Sequence, residues 1–327
     1  MAMNLAVTAQ HLLPKRLLTQ LAGWLARRPG PHAPFLIRRF IARYKVDMSE
    51  AANPDIASYA TFNDFFARAL REGARPLAQA DWVCPADGVI SQLGPIQLGQ
   101  LIQAKGHHYS ATALLGGDEA LAGLFNGGHF ATIYLSPRDY HRIHMPCEGR
   151  LRQMIYVPGD LYSVNFATAE AVPGLFARNE RVISVFDTAC GPLALVMVGA
   201  AIVGSMATVW HGTVNPPRTY YPRQWRYRDE RALTLAQGAE MGRFLLGSTV
   251  ILLWPREAQL RFAEGLLPGQ GVRMGQALAS FSPPSASDAA DAPEGGAPSA
   301  SDQQGAVHAP PGNAGQADGD EQGAGAV

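Results

Sequence analysis

Apolar positions recur along this chain with two periods, and the change from one to the other divides it. From about Gln10 to Arg27, Leu13, Leu17, Leu21, Trp24 and Leu25 fall on one face of a helix, with Lys15, Arg16, Arg27 and Arg28 around it. Phe35 to Lys45 repeats the pattern, setting Phe35, Leu36, Phe40, Ile41 and Tyr44 against Arg38, Arg39, Arg43 and Lys45, and Pro29-Gly30-Pro31 separates the two as a turn. A third helical stretch follows: Thr61 is placed to cap it, and Phe62, Phe65, Phe66 and Leu70 have core spacing. From Trp82 the period shortens to that of strands, in apolar runs broken by Gly and Pro. The expected architecture is α+β. Amphipathic helices over residues 1–46 precede an antiparallel, β-rich domain over 47–281.

Within that domain, Cys84-Pro85-Ala86-Asp87-Gly88-Val89-Ile90 reads as a turn between two strands. Phe130 to Leu135 reads as a strand that runs into a polar turn carrying His141 and His144. Phe176 to Val182 reads as a hairpin turn with charged tips, and Ala194 to Val203 as a buried strand. Arg218 to Arg231, rich in Tyr, Arg and Trp, fits a solvated loop and a lipid-headgroup surface equally well. Beyond Phe281, Pro, Ala, Gly, Ser and Asp dominate, so residues 282–327 are expected to be a disordered, acidic tail.

Charge sharpens this picture. The 327-residue chain has a formal net charge of zero, yet it carries no acidic residue before Asp47 and no Lys or Arg after Ser282. A basic, amphipathic beginning suits the anionic surface of a membrane rather than nucleic acid. No apolar run reaches the roughly 18 to 20 residues of a membrane span, and no signal peptide is visible, so the expected location is peripheral, on the cytoplasmic side of the cell membrane. Cys84, Cys147 and Cys190 have neither paired nor CxxC spacing and read as reduced thiols. His141 and His144 stand at His-x-x-His spacing, but no Cys or carboxylate sits at ligand spacing beside them, and no metal is expected.

The most unusual stretch is Arg243 to Trp254, an apolar and β-branched run interrupted by Gly247-Ser248-Thr249. A buried strand has no need of two hydroxyls and a missing side chain there, although a glycine bulge with two satisfied hydroxyls is the plain structural explanation. The alternative is chemical. A serine hydroxyl can attack the carbonyl of the residue before it where the backbone bends, and glycine permits the bend. The ester so formed is lost by β-elimination, and the resulting dehydroalanine hydrolyses to an N-terminal pyruvoyl ketone.

Leu246-Gly247-Ser248-Thr249, preceded by Gly238-Ala239-Glu240-Met241-Gly242-Arg243-Phe244, resembles the self-cleavage site of the pyruvoyl-dependent phosphatidylserine decarboxylases. The strings Tyr59 to Leu70 with Arg75-Pro76-Leu77, Pro85-Ala86-Asp87-Gly88, Lys105 to Ser110, Phe130 to Pro146, Pro158 to Asn165 and Phe176 to Val182 are similar to that family as well. The resemblance runs from about Leu12 to Phe281. One departure is Gln237, where Lys is expected in many relatives.

The resemblance implies a catalytic triad of Asp87, His144 and Ser248, in which His144 takes the serine proton, Asp87 orients the imidazole and Ser248 attacks Gly247. It implies a covalent pyruvoyl cofactor at position 248 and a Schiff base with the amine of phosphatidylserine. His141 is the candidate acid that reprotonates the carbon after CO2 leaves, which yields phosphatidylethanolamine. It also implies two associated chains, β (1–247) and α (248–327), alone or further dimerised. Three other readings remain open: a serine hydrolase built on the same triad, a non-catalytic lipid-surface module, and a pyruvoyl decarboxylase of a soluble amino acid.

Overall fold

The computed structural model describes residues 15–104, 106–200, 205–228, 233–245 and 248–281. Leu246 and Gly247 of the expected cut, the end of the expected strand Ala194 to Val203, and the expected tail lie outside these residues. Helix α1 is Lys15–Ala26 and helix α2 is His32–Tyr44. α2 ends where Lys45 turns into the left-handed region, φ 55°, and its N–H closes on the Ile41 carbonyl. Helix α3, Phe62–Phe66, opens on a reciprocal cap in which Thr61 and Asp64 each accept the other's backbone N–H. It is shorter than the spacing predicts. The backbone leaves the helix at Ala67, and Leu70 instead makes an isolated bridge to Ala51.

The strands that position the site are, in chain order, β1 Gly88–Pro95, β2 His129–Leu135, β3 Arg142–His144, β4 Gly149–Val157, β5 Arg181–Thr188, β6 Gly191–Val198, β7 Met206–Thr208, β8 Gly212–Asn215, β9 Arg223–Arg226, β10 Glu240–Phe244, β11 Ser248–Trp254 and β12 Gly271–Val272. Among the described residues the main sheet runs β9-β4-β5-β6-β11-β2-β1-β12, with Thr234–Leu235 added to β4, and a smaller sheet runs β8-β7-β10-β3. Their pairings are antiparallel. The fold is α+β.

Burial explains why β11 reads as one unbroken apolar run. It lies between β6 and β2, and both of its faces are covered. Val250, Leu252 and Trp254 join a core with Ile143, Met206, Val214, Met241 and Phe244 of the smaller sheet. Ile251 and Leu253 point the other way, to a core completed by Leu114, Leu121, Ala169, Leu175 and Phe176 of short helical segments. A third cluster holds the N-terminal region: Ile37 of α2 with Phe62, Phe65 and Phe66, and Phe40 edge-on to the latter three rings.

The segment Phe176 to Val182 differs from the expected hairpin. Leu175–Arg178 is a helical turn, and the charged residues after it are interior. Arg181 donates to the carbonyls of Leu114, Asn179 and Ala113, while Glu180 accepts from Arg218, Asn215 and the Tyr156 hydroxyl. Buried charge is stable only when so paired.

Candidate active site

The interrupted run Arg243 to Trp254 is two strands in two sheets. β10 belongs to the smaller sheet and ends at Phe244, and β11 begins at Ser248 in the main one. Opposite it, the chain crosses between the same sheets in the other direction, from β2 to β3. Ser248 pairs with Leu135 at the end of β2, and the Phe244 N–H donates to the His141 carbonyl just before β3. Ser248 thus stands where the sheets part, paired with the residue that leads into the turn Ser136 to Tyr140. That turn is held by Asp139, whose carboxylate accepts the N–H and hydroxyl of Ser136, each at 2.7 Å.

Asp87 reaches the same corner from β1. Gly88 opens that strand pressed against β2, and a Cβ there would lie 2.4 Å from the Tyr134 carbonyl oxygen, so close approach rather than turn geometry requires the glycine. The Asp87 carboxylate is gripped by Arg75, through Nε at 2.9 Å and through Nη2, and accepts the Met274 N–H at 2.8 Å. The same Nη2 reaches Glu50 at 2.8 Å, and Glu50 also meets Arg273. These two carboxylates, against the cost of burial, raise the Arg75 pKa and keep it protonated.

His144 ends β3 opposite Glu240, and its N–H donates to the Pro85 carbonyl, so the Asp87 turn packs beside it. The expected Asp87 to imidazole hydrogen bond is not the one this uncut chain makes. Nδ1 of His144 lies 2.8 Å from the Gly238 carbonyl and Nε2 lies 2.9 Å from the Tyr140 hydroxyl. A carbonyl only accepts, so Nδ1 carries the proton, Nε2 is basic and the tyrosine donates to it. Asp87 acts on the ring through its charge. Burial lowers the His144 pKa, opposed by Gly238, Glu240 and Asp87.

His141 occupies a drier place. It is fully buried with its ring 4.1 Å from that of Phe66. Its Nδ1–H donates to the Asp139 carbonyl at 2.8 Å, and Nε2 has no hydrogen-bond partner among the described residues. Burial pushes its pKa down to about 3, with Arg68 adding to the effect. In this state His141 is a neutral acceptor and not the charged acid that its expected role suggests.

Gln237, the departure from the family pattern, donates its amide toward the carbonyls of Ala80, Pro146 and Asp81 at 2.9, 3.1 and 3.2 Å. A lysine ammonium, with three donors, suits the same nest. The next residue, Gly238, has φ +78°, and a Cβ there would strike Leu77, which fixes the carbonyl that orients His144.

Three participants carry little or no signal in the amino-acid sequence. Tyr140 stands inside the histidine string, Arg75 stands in Arg-Pro-Leu with no chemistry attached, and the Gly238 carbonyl is backbone that no residue type marks. Among the described residues no three His, Cys, Asp or Glu side chains gather as a metal ligand set.

A family model described as phosphatidylserine decarboxylase matches residues 62–280, and a second, described as PSD, matches residues 5–45. The chain is similar to the phosphatidylserine decarboxylase proenzyme of Acidovorax ebreus, 65% identical over 280 residues that cover 85% of this chain and 98% of the relative. The proenzyme of Delftia acidovorans is 64% identical over 280 residues, 85% of this chain and 98% of its own. That of Albidiferax ferrireducens is 64% identical over 277 residues, 84% and 97% of the two chains. With the family model covering the β-rich region and relatives matched along nearly their whole length, the chain belongs to the phosphatidylserine decarboxylase family.

Proposed function

We propose that the chain decarboxylates phosphatidylserine to phosphatidylethanolamine with a pyruvoyl group made from its own Ser248. The observation that carries this reading is the corner between the sheets, where the backbone enters β11 at Ser248 and the chain leaving Leu135 leads into β3, whose His144 is a neutral imidazole with its basic nitrogen defined. In maturation, the Ser248 hydroxyl proton passes to His144 as the oxygen attacks the Gly247 carbonyl, and the peptide becomes an ester. Loss of the Ser248 Cα proton expels the Gly247 carboxylate and leaves dehydroalanine. Hydrolysis then releases ammonia and leaves the ketone. Asp87, its own charge held in place by Arg75, stabilises the transient imidazolium at one remove.

When formed, the ketone supplies an electron sink for an amine substrate losing CO2. His141 is inferred to be the acid that returns a proton, through Nε2, to the carbon that has lost CO2; in the free chain burial disfavours its charged form, so it can carry that proton only with the substrate bound.

The helices are proposed to hold the enzyme on the cytoplasmic face of an anionic membrane. Leu17 and Leu21 of α1 and Phe35 of α2 are each about three-fifths exposed, at 62%, 61% and 61%. Arg28 lies 3.8 Å over the Trp24 ring. An apolar groove of about 720 Å3 lies between Leu25, Leu36, Phe40 and Phe62. Among the described residues no helix is long and apolar enough to cross a membrane.

Mass spectrometry of the purified protein tests the reading. Fragments 1–247 and 248–327, the second beginning with a pyruvoyl group, together with CO2 release from phosphatidylserine vesicles, are the expected result. A single chain labelled at Ser248 by a fluorophosphonate would make it a serine hydrolase. An uncut, unlabelled chain that still binds vesicles would make it a surface module, and turnover of free serine alone would replace the lipid substrate.

A further inference from the structure

Both nitrogens of His144 are occupied in the uncut chain. The Gly238 carbonyl holds Nδ1–H, and the nitrogen left to act as a base, Nε2, already accepts a hydrogen bond from Tyr140. Nε2 can therefore take up a proton only once the phenol's own hydrogen bond to it gives way. The tyrosine stands in the turn that leaves Leu135, the residue paired with Ser248, and precedes His141, whose carbonyl holds Phe244. It is buried, 5% exposed, and its ring lies 5.6 Å from that of His144.

We propose that Tyr140 is the positioning residue of self-cleavage, fixing the His144 ring by its hydrogen bond and holding Nε2 in its unprotonated, basic form. The proposal rests on the self-cleavage reading above. As Nε2 takes up a proton, the phenol turns from donor to acceptor of the new Nε2–H, and the imidazolium keeps Nδ1–H on Gly238. The phenol suits this role because burial pushes its pKa up to about 12, so it remains a donor across the working range.

The donated hydrogen bond stabilises the unprotonated imidazole, so removing it raises the His144 pKa. The other groups facing the ring are Glu240 from β10, Asp87 from the turn before β1, Arg142 on its own strand and the Gly238 carbonyl, and all stay in place when only the hydroxyl is removed.

The test follows the full-length chain made by cell-free synthesis, with the cut fraction read on gels over time at a series of pH values. For Tyr140→Phe the expected result is a cut slowed at least about tenfold at the pH optimum, with the acidic midpoint moved up by about half a unit or more. A merely structural role would change the rate without moving the midpoint. Replacing Tyr140 by 3-fluorotyrosine keeps the shape and strengthens the donor, so the midpoint should move down. This arm decides the matter if Tyr140→Phe, checked by thermal melting in a Ser248→Ala background, fails to fold. Faster cutting by Tyr140→Phe would make the phenol an obstacle, and an unmoved midpoint in both variants would reduce it to packing. Either overturns the proposal. Ser248→Ala separates the two levels: if that chain still cuts, the self-cleavage reading itself fails.

Discussion

Strand β11 and helix α1 are both rich in large apolar side chains, and they treat them in opposite ways. Val250 to Trp254 are each fully buried between two neighbouring strands, whereas Leu17, Leu18, Leu21, Trp24 and Leu25 are all more than 40% exposed. A chain folding in water alone gains from hiding such surface, roughly 1.5–3 kcal/mol for each large side chain. The helix faces outward because its covered side is taken by small residues, Thr19 and Ala26, while its basic flank has no acid to pair with before Asp47. One region is therefore built to be finished by its own chain, and the other by a surface. If that division is sound, damage to each should leave the other's work intact.

The largest effect is expected at the corner. Ser248→Ala removes the nucleophile and His144→Ala its base, so both should accumulate as single uncut chains without decarboxylase activity while sedimenting with anionic vesicles as the parent does. Loss of vesicle binding in either would show that the regions are not independent. Next comes His141→Ala. It should still cut, and borohydride should still trap the amine substrate on the 248–327 fragment, while turnover falls by roughly 10²–10⁴. An uncut product would move His141 into maturation, and the reverse pattern for the two histidines would mean that their roles are exchanged.

A smaller, thermodynamic effect follows from the burial of His141. Its native pKa of about 3 lies below the ordinary histidine value near 6.5, so under acid the unfolded chain takes a proton that the native one refuses. Stability should be unaffected above neutrality and should fall as the pH drops from about 6.5 toward 3, by on the order of a few kcal/mol. Urea unfolding of Ser248→Ala against pH measures the slope. Adding His141→Gln should flatten it, and an unchanged slope would place the lability elsewhere.

The smallest effect is expected at the helix. Leu17→Ser with Leu21→Ser changes only exposed residues, so cutting should proceed at the parental rate while vesicle binding weakens several-fold. The remaining affinity should be the more salt-sensitive part, because it is carried by Arg27, Arg28, Arg38, Arg39 and Arg43. Unchanged sedimentation would return α1 to an ordinary surface helix.

Much of this is legible in the amino-acid sequence. Helical spacing locates α1, α2 and the Thr61 cap, and the short apolar runs after Trp82 announce strands. Asp87, His141, His144 and Ser248 stand in strings distinctive enough to be singled out. What stays hidden depends on partners distant in sequence. Glu180 and Arg181 look like the tips of a hairpin until Arg218, Leu114 and Ala113 are brought to them. The Asp87 to His144 contact is expected by analogy with other triads. The fold instead gives the aspartate to Arg75 and the imidazole to a carbonyl that no residue type announces. Even the interruption at Gly247 looks like a flaw within one strand, because sequence does not reveal that its two halves belong to different sheets.

The place of Ser248 at the head of a central strand bears on the order of events during folding. A cut made before β11 has inserted between β6 and β2 would turn the insertion from a ring closure within one molecule into an encounter between two, at far lower effective concentration. The chain must therefore fold first and break afterwards. Once broken, it holds its middle strand only by hydrogen bonds and packing. Protein denatured after the cut should then recover in a manner that depends on its dilution, whereas the uncut Ser248→Ala chain should refold at a rate independent of concentration.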